Sequence, residues 1–333
     1  MKTVIKVCIF CVTAFFSSCV VESGPKEIEL GPLRKILIGY NMKSIAFDSK
    51  GNAWIVTQEQ ELIKYNEMET MVFNSTNSIL PEEIYISSVA VDKKDNVWIG
   101  ASDGVWKYDG KKFTLYNSQN TSMLEDLVWS IAVDSKNNVW MSSCRVRQGG
   151  LVKYDGTKWT VYTPNNSALP VNMIHGIAID QSDNVWLALG EYVNQSYLVK
   201  ISNDKWEVFD ENDFGFKPYW HGGIQCDSRN RVLAGISYFL SSFSGPHFPD
   251  FFIFDGKKTT QLSRGDNISL SETIINHKDY VLCFGGVWIG EQWRRLDSSE
   301  FGGSSVRAVK EDPYHRIWVG TEDGIYISEK IKK

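Results

Sequence analysis

The side chains most able to do chemistry in this sequence are those that break its regular pattern. Tyr192, Trp220 and Tyr238, with Tyr219, Phe239 and Phe243 beside them, offer flat apolar faces, while Arg145, Arg147, Glu191, His175 and His221 offer directional polar contacts. Aromatic platforms with a few polar groups suit the apolar face and hydroxyl edge of a sugar. Lys43, Trp129, His175 and Arg307 form a second set, aligned by register below; the two cations could meet an anion or a carboxylated sugar, with solvated side chains as the alternative. For Phe239, Phe243 and Phe248 the competing assignment is a hydrophobic plug folded onto its own part of the chain.

Catalysis would have to come from the histidines. His175, His221 and His247, with Glu191 and Glu272 as acid/base partners, are the residues able to supply it. No Gly-x-Ser-x-Gly elbow, His-Glu-x-x-His helix or phosphate-binding loop is present. Recognition is therefore the leading expectation. An enzyme of lyase or glycosidase type, and a scaffold for another protein, are the alternatives; no cofactor is expected.

What must position these residues is a repeat. In five copies an Asp precedes a Trp by six positions, at Asp48/Trp54, Asp92/Trp98, Asp134/Trp140, Asp180/Trp186 and Asp312/Trp318. Two degraded copies keep the register with Leu, at Asp227/Leu233 and Asn276/Leu282. Successive anchors lie 44, 42, 46, 47, 49 and 36 residues apart, which makes seven units. Each unit reads as four short strands: an apolar strand ending on the Asp, a tight Gly/Asn turn, the Trp strand, and a third and fourth strand joined by Asp-Gly, as at Asp109-Gly110.

A meander of this length cannot bury both faces alone, so copies must stack, and a four-stranded unit with one Trp packs radially. The expected fold is all-β, a seven-bladed β-propeller of four-stranded antiparallel blades over residues 33–333. After Asp312 only 21 residues remain, too few for three more strands, while Arg34 to Tyr40 belongs to no unit. That N-terminal strand is expected to complete the last blade and close the ring, which removes exposed edges. Five residues before each anchor stand Lys43, Ser87, Trp129, His175, Gly222, Ser271 and Arg307, expected at the channel mouth. The anchor carboxylates are expected to cap their turns, since no calcium-loop spacing occurs.

Residues 1–18 read as an export signal: Lys2 and Lys6, an apolar run from Val7 to Phe16, then small residues. The run is too short to span a bilayer as a helix of about 20 residues. Phe16-Ser-Ser-Cys19 resembles the lipobox of bacterial lipoproteins, which implies lipidation of Cys19 at the outer membrane of the cell envelope; an ordinary secretory signal is the alternative. Residues 19–32 then form a tether. A lipidated Cys19 leaves Cys144, Cys226 and Cys283, an odd count that argues against a disulfide framework, with a Cys226–Cys283 bridge as the one alternative to free thiols.

The repeats resemble the two-component regulator propeller repeats of Bacteroidetes-type bacteria. The carrying residues are Ser88-Val-Ala-Val-Asp92, Val97-Trp-Ile-Gly-Ala101, and the linkers Asn77 to Pro81 and Asn166 to Pro170. The likeness runs over about residues 34–328, strongly in units 1–4 and 7 and weakly in 5 and 6. It implies the propeller fold and, more loosely, recognition of glycan or envelope material, since many such propellers are sensor domains of hybrid histidine kinases. The sequence reads as lacking a transmembrane helix, a kinase region and a second propeller. The fold also resembles streptogramin lyases, which use His, Glu and bound magnesium, but their Glu-x-His pairing is missing here. The partner is expected to be a carbohydrate or other small ligand, or an envelope protein, with the membrane met through the lipid only. The chain has 35 Lys and Arg against 40 Asp and Glu, a net charge of −5, and no basic stripe, so nucleic acid is excluded.

Overall fold

In a computed structural model of the chain, described over residues 33–145, 148–191, 196–216, 220–236, 251–262, 273–275, 281–283, 286–289, 292–295 and 306–328, the strands form seven four-stranded antiparallel sheets. Residues 1–32, which carry the expected signal, Cys19 and tether, lie outside the described residues. Strand β1 (Leu33–Ile38) precedes the first complete sheet, which is β2 (Met42–Phe47), β3 (Ala53–Thr57), β4 (Leu62–Tyr65) and β5 (Thr70–Phe73). The second sheet follows in the same order: β6 (Ile86–Val91), β7 (Val97–Ala101), β8 (Gly104–Tyr108) and β9 (Phe113–Tyr116).

The first strands of the remaining sheets are β10 (Val128–Val133), β14 (Ile174–Ile179), β18 (Trp220–Cys226), β22 (Thr273–Ile275) and β26 (Val306–Glu311). Each first strand adjoins the first strand of the next sheet, and β26 adjoins β2, so the inner strands form a ring. The last sheet has the order β1, β28 (Gly324–Ser328), β27 (Ile317–Thr321), β26, with β1 antiparallel to β28. The chain's first strand thus serves as the outer strand of its last sheet, and Leu37 is buried there against Ile325 and Ile327.

The Asp–Trp spacing has a direct physical reason. Asp92 is buried and its carboxylate accepts from the backbone N–H groups of Lys94 and Asn96, from the Asn96 amide, and from Trp98 Nε1 at 2.9 Å. Asp48, Asp134, Asp180 and Asp312 each accept from their own Trp indole at 3.0–3.2 Å. One carboxylate therefore caps the turn and locks the Trp of the adjoining strand. The sequence reading assigned the turn and the packing separately and missed the bond that joins them. In sheets five and seven Arg231 and Arg316 stand where sheets one to four have Asn, and each Nε donates to its Asp at 2.6 Å.

The Trp rings carry the contact between sheets. Trp98 stacks on Tyr116 of its own sheet and tilts against Tyr154 of the next, and it lies beneath Lys107 Nζ at 5.3 Å. The same pattern recurs at Trp54 with Phe73, Tyr108 and Lys64. Turn residues then staple neighbouring sheets: Ser49 donates from its N–H and hydroxyl to Asp95, and Ser135 does so to Asp183. Those bonds hold the Asp95 and Asp183 carboxyls below the usual range, Asp95 chiefly through the Ser49 backbone N–H and Asp183 chiefly through the Ser135 hydroxyl.

Strand β11 (Val139–Arg145) and strand β12 (Gln148–Tyr154) form a long hairpin, paired out to Arg145 opposite Gln148. Cys226 is a free thiol, so the alternative bridge to Cys283 is not formed; burial pushes its pKa well above the usual thiol value. The linker before β18 also opens on a short helix, α1 (Glu211–Phe214), capped by Asp210 and Gly215, that no periodicity signalled.

Candidate functional site

The ladder between the first and second strands shifts register near its start in six of the seven sheets. Met42 pairs with Thr57 and Ser44 with Val56, which leaves Lys43 unpaired as a β-bulge. The same shift leaves out Ser87, Trp129 with Ser130, His175, the segment His221 to Gly223, and Arg307. Bulges of this kind re-aim side chains and are common beside binding sites. Here they fall where register alignment placed the channel mouth. The residues that follow help make the bend affordable: Ser44 and Ser130 each accept, at their hydroxyls, the N–H of Val89 or Ile177 in the next sheet.

The best-defined part of this ring spans sheets one to three. Lys43 is part-buried; its Nζ donates to the Ile86 carbonyl and lies 3.6 Å from the centre of the Tyr85 ring. Tyr85 meets Trp129 edge to face, with centroids 6.0 Å apart, and the two remain 39% and 38% exposed. Both aromatics are thus left open beside a cation, whereas the five anchor tryptophans are buried. Sequence reasoning missed Tyr85. It stands seven residues before Asp92, the place Trp220 holds before Asp227, so aligning two positions further upstream would have found it.

The other candidates divide plainly. His175 Nε2 lies 2.9 Å from the Gly190 carbonyl, which fixes the ring at the end of sheet four. Glu191 is buried and accepts from the Asn172 N–H, so its first duty is to hold the linker before β14. Arg145 is exposed at its hairpin tip, 3.4 Å from Glu125. Trp220, His221 and Arg307 are described in backbone only, Trp220 paired with Ile236 and the other two at bulges. Tyr192, Tyr238 and Arg147 lie outside the described residues, as do His247 and Glu272. The inner strands also line a cavity of about 520 Å³, with Ile45, Val89, Ile131 and Val133 as walls and Lys310, Glu311 and His315 at the tight-turn end. Among the described residues no cluster of His, Cys, Asp and Glu could hold a metal, and no helix is long and apolar enough to cross a membrane.

In the last sheet the anchor Asp312, the turn, and Trp318-Val-Gly-Thr321 leading to Gly324 set out the repeat in full. The two component regulator propeller family model matches the chain here, over residues 300–323. The propeller as a whole is similar to the extracellular domain of the one component system BT4673 from B. thetaiotaomicron, with a TM-score of 0.68 at 17% identity over 90% of this chain. The match spans 40% of that Bacteroides domain, so this propeller corresponds to about two fifths of its length.

Two other propellers are similar over nearly their whole length. A catalytically inactive virginiamycin B lyase from Staphylococcus aureus, solved with quinupristin, gives a TM-score of 0.66 at 11% identity, covering 89% of this chain and 99% of the lyase. YCF48 bound to a D1 peptide gives 0.63 at 12% identity, covering 92% of this chain and 99% of YCF48. At these identities the likeness establishes the propeller fold and no activity. No curated protein matches the sequence.

Proposed function

We propose that this propeller is an extracytoplasmic recognition module, held at the outer membrane of the cell envelope by a lipid on Cys19, and that it binds a glycan-like ligand at the channel mouth. The observation that carries the reading is the repeated bulge. Six of seven first strands leave the ladder at one position, and the residues released there are Lys43, Ser87, Trp129, His175, His221 to Gly223 and Arg307. Tyr85 and Trp129 stay more than a third exposed next to Lys43, so part of their surface is open to a ligand. Exposed aromatic faces beside hydrogen-bonding groups are what a sugar ring requires. The similarity to extracellular domains of Bacteroides one and two component systems supports a sensing role in the same sense.

Glycan-array binding followed by calorimetry tests the site. Trp129→Ala is expected to weaken binding at least roughly tenfold with the melting temperature unchanged, because stacking contributes about 1–3 kcal/mol where it occurs. Full binding by that variant would place the ligand elsewhere, and binding of an envelope protein with no glycan bound would favour the scaffold reading. For the anchor, labelled palmitate should enter the wild-type protein and not Cys19→Ala. Equal labelling, or none in either, would leave an ordinary secretory signal.

A further inference from the structure

The bulge ring differs from the rest of the chain in its charge. Acids outnumber bases overall, 40 to 35, yet Lys43, Ser87, Trp129, His175, His221 and Arg307 include no carboxylate. Lys43 shows what that means locally. The residue is part-buried, and its ammonium contacts the Ile86 carbonyl and the face of Tyr85; among the described residues it pairs with no carboxylate. Two other cations in this sheet-end region are paired, Lys35 with Asp323 at 2.7 Å and Arg145 with Glu125 at 3.4 Å.

A lysine partly withdrawn from water is best satisfied by an anion, because a carbonyl and a π face replace only part of its hydration. Lys43 therefore has room in its coordination for an acceptor of opposite charge. The aromatic geometry says what carries that acceptor. Trp129 is reached from Lys43 through one ring, Tyr85, so a single disaccharide is long enough to meet the ammonium with one residue and the indole with the other.

From this ring we infer that the ligand is an acidic glycan, a uronic acid oligosaccharide whose carboxylate meets Lys43 while a neighbouring sugar covers Trp129. Arg307 stands at the corresponding bulge of the adjacent sheet, a second cation at the same level of the ring. A neutral sugar would fill the aromatic half of the site and leave the lysine without its partner. The inference rests on the glycan reading above and narrows it to one class.

The experiment is calorimetry of the purified protein with oligogalacturonate, hyaluronan and alginate oligomers, and with the methyl ester of whichever binds. The ester keeps every sugar ring and removes the charge. The acid is expected to bind at least roughly tenfold more tightly than its ester. Its affinity should fall as salt rises, while that of the ester should not. Lys43→Gln should bring the acid down to the level of the ester, and Lys43→Arg should retain most of the difference.

Equal affinities for acid and ester would overturn the acidic assignment and leave glycan recognition standing. Binding of neutral oligosaccharides alone would do the same, and silence from every acidic oligomer would also overturn it. Because Lys43 bridges to sheet two, its Gln variant could lose stability as well. In that event the contrast in salt dependence between acid and ester in the wild-type protein decides the matter.

Discussion

Asp92→Ala is expected to destabilise the propeller by about 3–5 kcal/mol, among the largest effects of any single truncation outside the hydrophobic core. The side chain removed is small, but four donors lose their acceptor: the N–H groups of Lys94 and Asn96, the Asn96 amide and the Trp98 indole. Trp98 is only 1% exposed, so water cannot take the place of the carboxylate at its Nε1. Each buried donor left without a partner costs about 1–3 kcal/mol. Two such donors and a loosened turn account for the total.

Companion variants separate these contributions. Trp98→Phe keeps the stacking on Tyr116 and removes only the indole donor, so it should cost about 1–2 kcal/mol. The double variant should cost less than the sum of the two, since the shared bond can be lost only once. Urea unfolding of the four proteins measures all of this. Strict additivity would mean that Asp92 caps its turn and has no part in holding Trp98. Asp312→Ala should be at least as damaging as Asp92→Ala, because it also leaves the Arg316 guanidinium without its 2.6 Å partner.

How much of this was legible in the sequence depends on whether a residue belongs to the period. The anchors, the four-strand units and the closing N-terminal strand could all be found by counting, because identical packing problems repeated seven times select identical residues. The Asp–Trp bond was not legible. Six residues of separation say nothing until a hairpin places Trp98 beside Ala90, two residues before Asp92. The aperiodic parts were read less well for the same reason. The tip of the β11–β12 hairpin looks polar and loop-like, yet it pairs to its end because Ser142 and Ser143 are buried and find partners in Ser130 and Glu125. Register put Lys43, Trp129, His175 and Arg307 at one level and all four stand at bulges, while Tyr85 lay just upstream of the positions that were aligned. Glu191, a candidate by residue type, is buried and bound to the backbone instead.

Closure of the ring can be tested by one glycine. Gly104 and Gly150 sit near the start of the third strands of sheets two and three, where an added Cβ would lie 2.3 Å and 2.1 Å from the carbonyl oxygens of Tyr116 and Tyr162 in the fourth strand. Gly324 is their counterpart in the last sheet, at φ +156°, and its Cβ would lie 2.4 Å from the Leu37 carbonyl in β1. No side chain fits there while β1 is in place. The consequence differs between sheets because of chain connectivity. The fourth strand of sheet two is held on both sides by the chain, so Gly104→Val has no cheap relief and should lower the stability of the whole ring. In the last sheet the intruding strand is not joined to β28 by a hairpin, so it can leave. Gly324→Val should therefore release β1, taking Leu37 out of its contact with Ile325 and Ile327 and opening the Lys35–Asp323 pair. Burial of one leucine alone contributes about 2–3 kcal/mol, and the lost pairing adds to it. Hydrogen exchange should show protection lost over residues 33–38 and along β28 while sheets two to four keep theirs. Retained protection over 33–38 in a folded Gly324→Val would mean that β1 is not what completes the last sheet.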